Sequence, residues 1–298
     1  MLTLLAILVD GFVYSSWLFI VAIGLTLIFG VMQILNVTHG SLYALGAYAA
    51  ASLIGVYFRA DYWPMGSFLV LLGAALLVGL VVGLILERGL LRFMYGRDEV
   101  IIVLVTYATF LILEDVILLA WGTDPYFAFE PYSLLGTTEM GALIFSNYDL
   151  ALVGLAVVLG ASVWWGLNRT QWGKVLQAVI IDREMAQCMG VNVTVVYTIT
   201  FVIGAMLGAL GGAVTAPQIS VAPGIGVEVI VLAFAVVATG GMGSIPGAIV
   251  GALIVGISRA AAVHLLPEVE LFVIYAVMTL VLVFRPEGLF TRGKARKI

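Results

Sequence analysis

Few residues in this sequence carry groups that could do chemistry, and most of those interrupt apolar runs. Asn36, Thr38 and His39 break two such runs within Ile34-Leu-Asn-Val-Thr-His-Gly40. Glu228 follows Gly224-Ile-Gly-Val, and Arg259 ends Gly256-Ile-Ser-Arg259. Polar groups in an apolar surround are costly, and persist where they are buried in protein or line a wet cavity. They are therefore candidates for lining a path through a membrane. The Asn36–His39 stretch also reads as a turn that caps the next helix through Thr38 or Ser41. The two readings are compatible. Glu114-Asp115 fits a proton relay or a polar helix end.

Two further stretches combine unusual residues at regular spacing. In Gly173–Gly190, the residues Asp182, Ala186 and Gly190 recur every four positions and are expected to share one helical face, which Ala178 extends backward. Ala186 and Gly190 are small enough for another backbone to approach, while Lys174, Asp182, Arg183 and Glu184 border them with charge. This predicts an amphipathic helix offered to a soluble partner. A helix lying on the membrane surface is the other reading, and its mixed charge argues against it. In Gly240-Gly-Met-Gly-Ser-Ile-Pro-Gly247, the residues Gly240, Gly241, Gly243, Pro246 and Gly247 forbid a continuous helix around Ser244. Such a break is either a tight turn between spans or a place where helix ends face a solute.

Other chemistry is excluded by what is missing. The two Gly-Lys pairs, at Gly173 and Gly293, lead to Val and Ala, so no phosphate-binding loop occurs. There is no Gly-x-Ser-x-Gly or His-Glu-x-x-His, and no paired carboxylates in a catalytic setting. Cys188 stands alone, and His39 and His264 are too separated for a metal cluster.

The elements that must hold these residues follow from composition. The 298 residues are 63% hydrophobic and 10% charged, whereas a soluble domain carries roughly a quarter charged residues. Lipid is therefore the expected solvent. The fold class is all-α and polytopic, with one transmembrane domain over 1–298. Runs long enough to cross are Phe12–Val31, Leu42–Phe58, Phe68–Leu86, Val100–Leu119, Leu150–Leu167, Val195–Val214, Ala248–Leu266 and Leu271–Phe284. That makes about eight spans, with Val229–Thr239 as a ninth that is crossing, broken or re-entrant. Leu2–Val9 reads as an interfacial helix or an extension of the first span. Asp10 and the lack of a basic start argue against a cleavable signal peptide.

Basic residues cluster at Arg88, Arg92 and Arg97, at Arg169, Lys174 and Arg183, and at Arg285, Arg292, Lys294, Arg296 and Lys297. The segment Trp121–Asp149 has four acids and no base. The positive-inside rule puts the basic segments in the cytoplasm and the acidic one outside, with the N-terminus outside and the C-terminus inside. Trp121, Tyr126, Phe127, Phe129 and Tyr132 then form either an interfacial aromatic belt or a docking surface for an external partner.

Four motifs in this order resemble the permease subunits of branched-chain amino acid ABC importers, in particular the shorter, H-type subunit. They are Gly24–Gly30 with Asn36-Val-Thr-His-Gly40 and Gly46-Ala-Tyr48, the Gly173–Gly190 segment, Ala233–Ala248, and Arg285-Pro-Glu-Gly-Leu-Phe290. The resemblance implies a bacterial inner-membrane location and four kinds of partner: the bilayer, a second related permease, two ATPase subunits and an external substrate-binding protein. It implies no nucleic acid, no enzyme activity of the chain's own, and ATP and Mg held by the ATPase subunits. The cytoplasmic segment 168–193 then couples the spans to the ATPase. Gln177 stands where the family often has Arg, and Arg259 where relatives commonly have Glu. Arg259 is expected to pair with Glu228 or to meet a carboxylate of the solute. A secondary transporter driven by an ion gradient is the competing reading; it leaves the Gly173–Gly190 face without a purpose. An intramembrane enzyme lacks a nucleophile and base.

Overall fold

A computed structural model describes residues 2–140 and 143–290. The elements in chain order are α1 (Leu2–Met32), α2 (His39–Arg59), α3 (Ser67–Gly89), α4 (Glu99–Trp121), α5 (Glu130–Leu134), β1 (Thr137–Met140), β2 (Leu143–Ser146), α6 (Asn147–Arg169), α7 (Gln171–Ile181), α8 (Arg183–Cys188), α9 (Val193–Thr215), α10 (Ile225–Gly240), α11 (Ile245–Leu265) and α12 (Glu270–Phe284). Seven of the helices are long and apolar enough to cross a membrane, namely α1, α2, α3, α4, α6, α9 and α11. α10 and α12, of 16 and 15 residues, are shorter. At about 1.5 Å per residue they reach about 24 Å and 22 Å. α1 absorbs the apolar start of the chain, so Leu2–Val9 is a continuation of the first span.

The core is built on α9, whose sides pack against α1, α2 and α3. Glycine makes this possible. A Cβ on Gly204 would lie 2.5 Å from Ile28 and 3.0 Å from the Gly24 carbonyl oxygen, and one on Gly79 of α3 would lie 2.3 Å from the Met206 Cα. With no hydrophobic drive between helices in lipid, such close backbone approach supplies the packing energy. The outer helices show the opposite pattern: α4 and α6 leave most of their apolar side chains exposed, as lipid-facing helices do.

The 122–146 connection is not a loose loop. Tyr126 and Val221 exchange backbone hydrogen bonds of 2.9 Å in each direction, which ties it to the 216–224 connection. β1 and β2 form a small antiparallel hairpin, a non-helical element that apolar-run counting does not reveal. Of the predicted belt, Trp121 donates to Ser52 at 2.7 Å and Tyr126 packs edge-on to Tyr48, while Phe127 and Phe129 remain exposed.

Candidate functional site

The start of α2 lies deep in the bundle. α2 begins beside Val21 and Gly24, well before the end of α1, because residues 33–38 double back alongside α1. Asn36, Thr38 and His39 are all buried there. The His39 Nε2 lies 3.0 Å from the Val21 carbonyl oxygen, and since a carbonyl only accepts, Nε2 is the protonated nitrogen. The ring fills a slot between helices: a Cβ on Gly24 would lie 2.8 Å, and one on Gly208 2.7 Å, from its Cε1. Thr38 occupies the N-cap of α2, one of the two expected positions, but neither it nor Ser41 caps the helix through its side chain. The Thr38 hydroxyl is taken by the nearer Asn36 Oδ1, and Ser41 donates to the Phe110 carbonyl of α4 at 3.3 Å. Thr106 of α4 pins the same stretch, accepting from Val37 N at 3.4 Å and facing the Leu35 carbonyl at 3.3 Å.

The starts of α2 and α10 meet. A Cβ on Gly40 would lie 2.4 Å from the Gly226 carbonyl oxygen, and one on Gly226 would lie 2.6 Å from Glu114 Oε1. The Glu114 side chain of α4 thus lies against the amino-terminal end of α10, and its Oε1 is buried with no hydrogen-bond partner among the described residues.

A cavity of about 790 Å³ opens between residues 10–17 of α1, the first turns of α6, the 216–224 connection, α10 and α11. Glu228 and Arg259 both line it, with Asp10, Tyr14 and Asp149. The expected Arg259–Glu228 pair is corrected: Arg259 Nη2 reaches Glu270 of α12 at 3.6 Å, and its guanidinium lies 4.1 Å from the centroid of the Tyr14 ring. The reason is the turn after α11, which brings α12 back against it. The Arg259 Nε is buried with no hydrogen-bond partner among the described residues. Asp149 is oriented by Gln218, which donates at 2.6 Å, and by the Tyr132 hydroxyl at 3.4 Å. Asp10 contacts His264 Nε2 at 2.7 Å. Aliphatic walls come from Leu152, Val229 and Leu232.

The 168–193 segment forms two short helices rather than one, which corrects the predicted continuous face. Asp182 has extended backbone and its Oδ1 accepts from Met185 N at 2.9 Å, so it ends α7 and caps α8. Ala178 lies on α7, the buried Ala186 on α8, and Gly190 follows α8 at φ +88. Gly173 is required at the α6–α7 corner, where a Cβ would lie 2.2 Å from the Leu167 carbonyl oxygen. Gln177 donates to that carbonyl at 2.9 Å, so its amide closes the end of α6. Glu184 is exposed in the first turn of α8, and Arg183 lies over the Tyr197 ring at 5.5 Å. Sequence reasoning missed the apolar residues that this pair of helices leaves exposed: Trp172, Ile181, Met185 and Met189. The spacing Ile181, Met185, Met189 was visible as a second four-residue series beside the small one.

The Gly-rich break is a packed junction. Gly241 and Gly243 adopt φ of +107 and +79. Gly240 faces the Gly247 carbonyl and Gly243 faces the Gly30 backbone at distances that leave no space for a Cβ. Ser244 accepts from Gly247 N at 3.2 Å, and Pro246 occupies the first turn of α11. Ile180 of α7 lines a small cleft with Gly30 and Gly243, so the surface helices lie beside the break. The last described residues close it: Leu289 N donates to the Thr239 carbonyl at 3.1 Å and Phe290 N to the Gly240 carbonyl at 2.9 Å. The basic residues Arg292, Lys294, Arg296 and Lys297 lie outside the described residues.

Comparisons with known proteins converge on one family. The family model for the branched-chain amino acid transport system, permease component, matches residues 7–282. The chain is similar to the high-affinity branched-chain amino acid transport system permease protein BraD of Pseudomonas aeruginosa, at 28% identity over 98% of this chain and 97% of that protein. It is similar to LivH of Escherichia coli, of the same description, at 28% over 97% and 96%. A probable LivH of Methanocaldococcus jannaschii is 28% identical over 87% and 81%.

Proposed function

Because the chain belongs to the branched-chain amino acid transport permease family, and so is a multi-pass inner-membrane permease component of an ABC importer, we propose the following assignment of its parts. The whole chain is one permease domain that carries branched-chain amino acids, or a closely similar zwitterion, in concert with a second permease. Two ATPase subunits dock on α7 and α8 and hold the ATP and Mg, and an external binding protein delivers the solute. The observation that carries this reading is the α7–α8 pair. It presents Trp172, Ile181, Met185 and Met189 outward while Ile180 shares a small cleft with the Gly30–Gly243 junction of the bundle. Flexible methionines suit an adaptable protein contact, and an ion-driven carrier has no use for such a face.

The cavity supports the solute class. Asp149 and Glu228 suit an ammonium group, the partly exposed Arg259 guanidinium suits a carboxylate, and Leu152, Val229 and Leu232 suit an aliphatic side chain. Arg88, Arg92, Arg97 and the α7–α8 pair are cytoplasmic in this reading, with the N-terminus outside and the described end of the chain at the cytoplasmic face. ATP binding then shifts the permease pair between two states, since only a difference in affinity for the two can move the equilibrium.

The test is reconstitution in vesicles with the second permease, the ATPase subunits and the binding protein. Labelled leucine is expected to accumulate only with ATP and the complete set. Uptake by this chain alone, driven by a sodium or proton gradient, would overturn the reading.

A further inference from the structure

Glu87 is fully buried in the last turns of α3. A carboxylate in such a place is costly unless donors surround it. Three do. The Tyr95 hydroxyl donates to Oε1 at 2.7 Å, the Thr198 hydroxyl to Oε2 at 2.8 Å, and Arg88 Nε lies 3.5 Å from Oε2. These come from the α3–α4 connection, from α9 and from α3 itself, so one side chain holds three parts of the bundle. Burial, and next the carboxylate to which it donates, hold the Tyr95 phenol above the ordinary tyrosine range. Tyr95 therefore keeps the proton that it donates.

The contacts continue toward the surface helices. The Tyr95 ring meets Tyr197 edge-on at 5.0 Å, and the Arg183 guanidinium lies 5.5 Å from the Tyr197 centroid on α9. Tyr197 and Thr198 are neighbours on α9, so the residue that receives α8 adjoins the one that holds Glu87. Arg183 is the first residue of α8. A displacement of α8 thus acts on the Tyr197–Tyr95 contact and, through the two hydroxyls, on the end of α3.

We infer that Glu87 is a positioning residue for coupling. It joins α3, the 90–98 connection and α9 into a unit that moves with α8, so that nucleotide-driven motion of the docked ATPase reaches the spans. This rests on the importer reading above. Its effect passes through Tyr95, Tyr197 and Arg183, and Glu87 itself touches neither solute nor nucleotide. It adds a second route into the bundle beside the cleft that Ile180 shares with the Gly30–Gly243 junction.

The experiment measures solute taken up per ATP hydrolysed in the reconstituted complete importer, with the level of assembled complex. Glu87→Gln keeps the shape and removes the charge. It is expected to lower the ratio about fivefold or more while the complex assembles and hydrolyses ATP. Tyr95→Phe, which is gentler to the fold, is expected to lower it in the same sense, and the double variant no further than Glu87→Gln alone. An unchanged ratio in both variants overturns the inference. So does a fall in uptake and hydrolysis together, in step with the amount of complex, which marks Glu87 as purely structural. A wild-type complex that accumulates no solute with ATP refutes the importer reading instead.

Discussion

Gly212 of α9 lies so close to the Tyr43 carbonyl oxygen of α2 that a Cβ built on it would sit 1.9 Å away. No side chain fits there, and the neighbour is backbone, which cannot rotate aside. Gly212→Ala is therefore expected to force α2 from α9, at a cost of about 1–3 kcal/mol or more. Thermal unfolding in detergent, followed by loss of the monodisperse peak, should show a clear drop. Gly154, on exposed α6 with nothing within 4 Å of its Cβ position, is the matching site where Ala is expected to be harmless.

His39 separates two meanings of a buried polar residue. It fills the space between Gly24 and Gly208 and contacts the Val21 carbonyl. His39→Ala should leave a cavity and cost about 2–5 kcal/mol, the range for large-to-small core changes. Uptake should then fall in proportion to folded protein. If folded protein is unchanged and uptake alone is lost, His39 faces the solute.

For Arg259 the expectation is the reverse. Arg259→Ala should raise the solute concentration for half-maximal uptake, since a hydrogen bond to a charged group contributes about 1.5–3 kcal/mol, or roughly 10- to 150-fold. Protein level should hold, because among the described residues the guanidinium is bound by no more than a 3.6 Å contact and a ring. Unchanged transport at unchanged level would confine Arg259 to its contacts with Glu270 and Tyr14.

Asp182 offers a test of the docking helices. Removing its cap on Met185 N by Asp182→Ala should cost α8 about 1 kcal/mol. The bundle should keep its unfolding temperature, while pull-down of the ATPase subunits weakens. Met185→Asp and Met189→Asp, on the exposed apolar face, should abolish the association outright.

Gly288 is held at φ +83, and a Cβ there would lie 2.4 Å from Gly241. Gly288→Val is expected to pull 285–290 away from α10 and leave the Thr239 and Gly240 carbonyls without their donors. Each orphaned buried group costs about 1–3 kcal/mol. Faster proteolysis near Gly240 in membrane vesicles would report it; an unchanged digestion pattern would contradict the role of this contact.

The spans were legible because lipid demands runs of about 20 apolar residues, and α3, α4, α6 and α9 match theirs within a few positions. What hydropathy could not express is depth. Nothing in the apolar profile shows that α2 starts beside Val21, since that depends on how 33–38 folds back. The α7–α8 split was readable in principle from Asp182 as an N-cap, but the four-residue series through Ala186 concealed it. Arg259 was recognised as anomalous, yet its partner was misassigned to Glu228, because the position of Glu270 depends on how α12 turns. Glu87 follows an apolar run and precedes Arg88, a place that by sequence marks no more than the edge of a loop. Only the packing of Tyr95 and Thr198 around it shows otherwise.

The contact of Leu289 and Phe290 with Thr239 and Gly240 also orders events in time. A ribosome makes α10 long before it makes residues 289 and 290, so the last carbonyls of that helix emerge with their eventual donors still unsynthesised. The Gly240–Gly247 junction, packed on Gly30 of α1, gains these two donors only when residues 289 and 290 arrive. A chain interrupted after α12 would therefore hold every long helix yet leave the Thr239 and Gly240 carbonyls without these two donors.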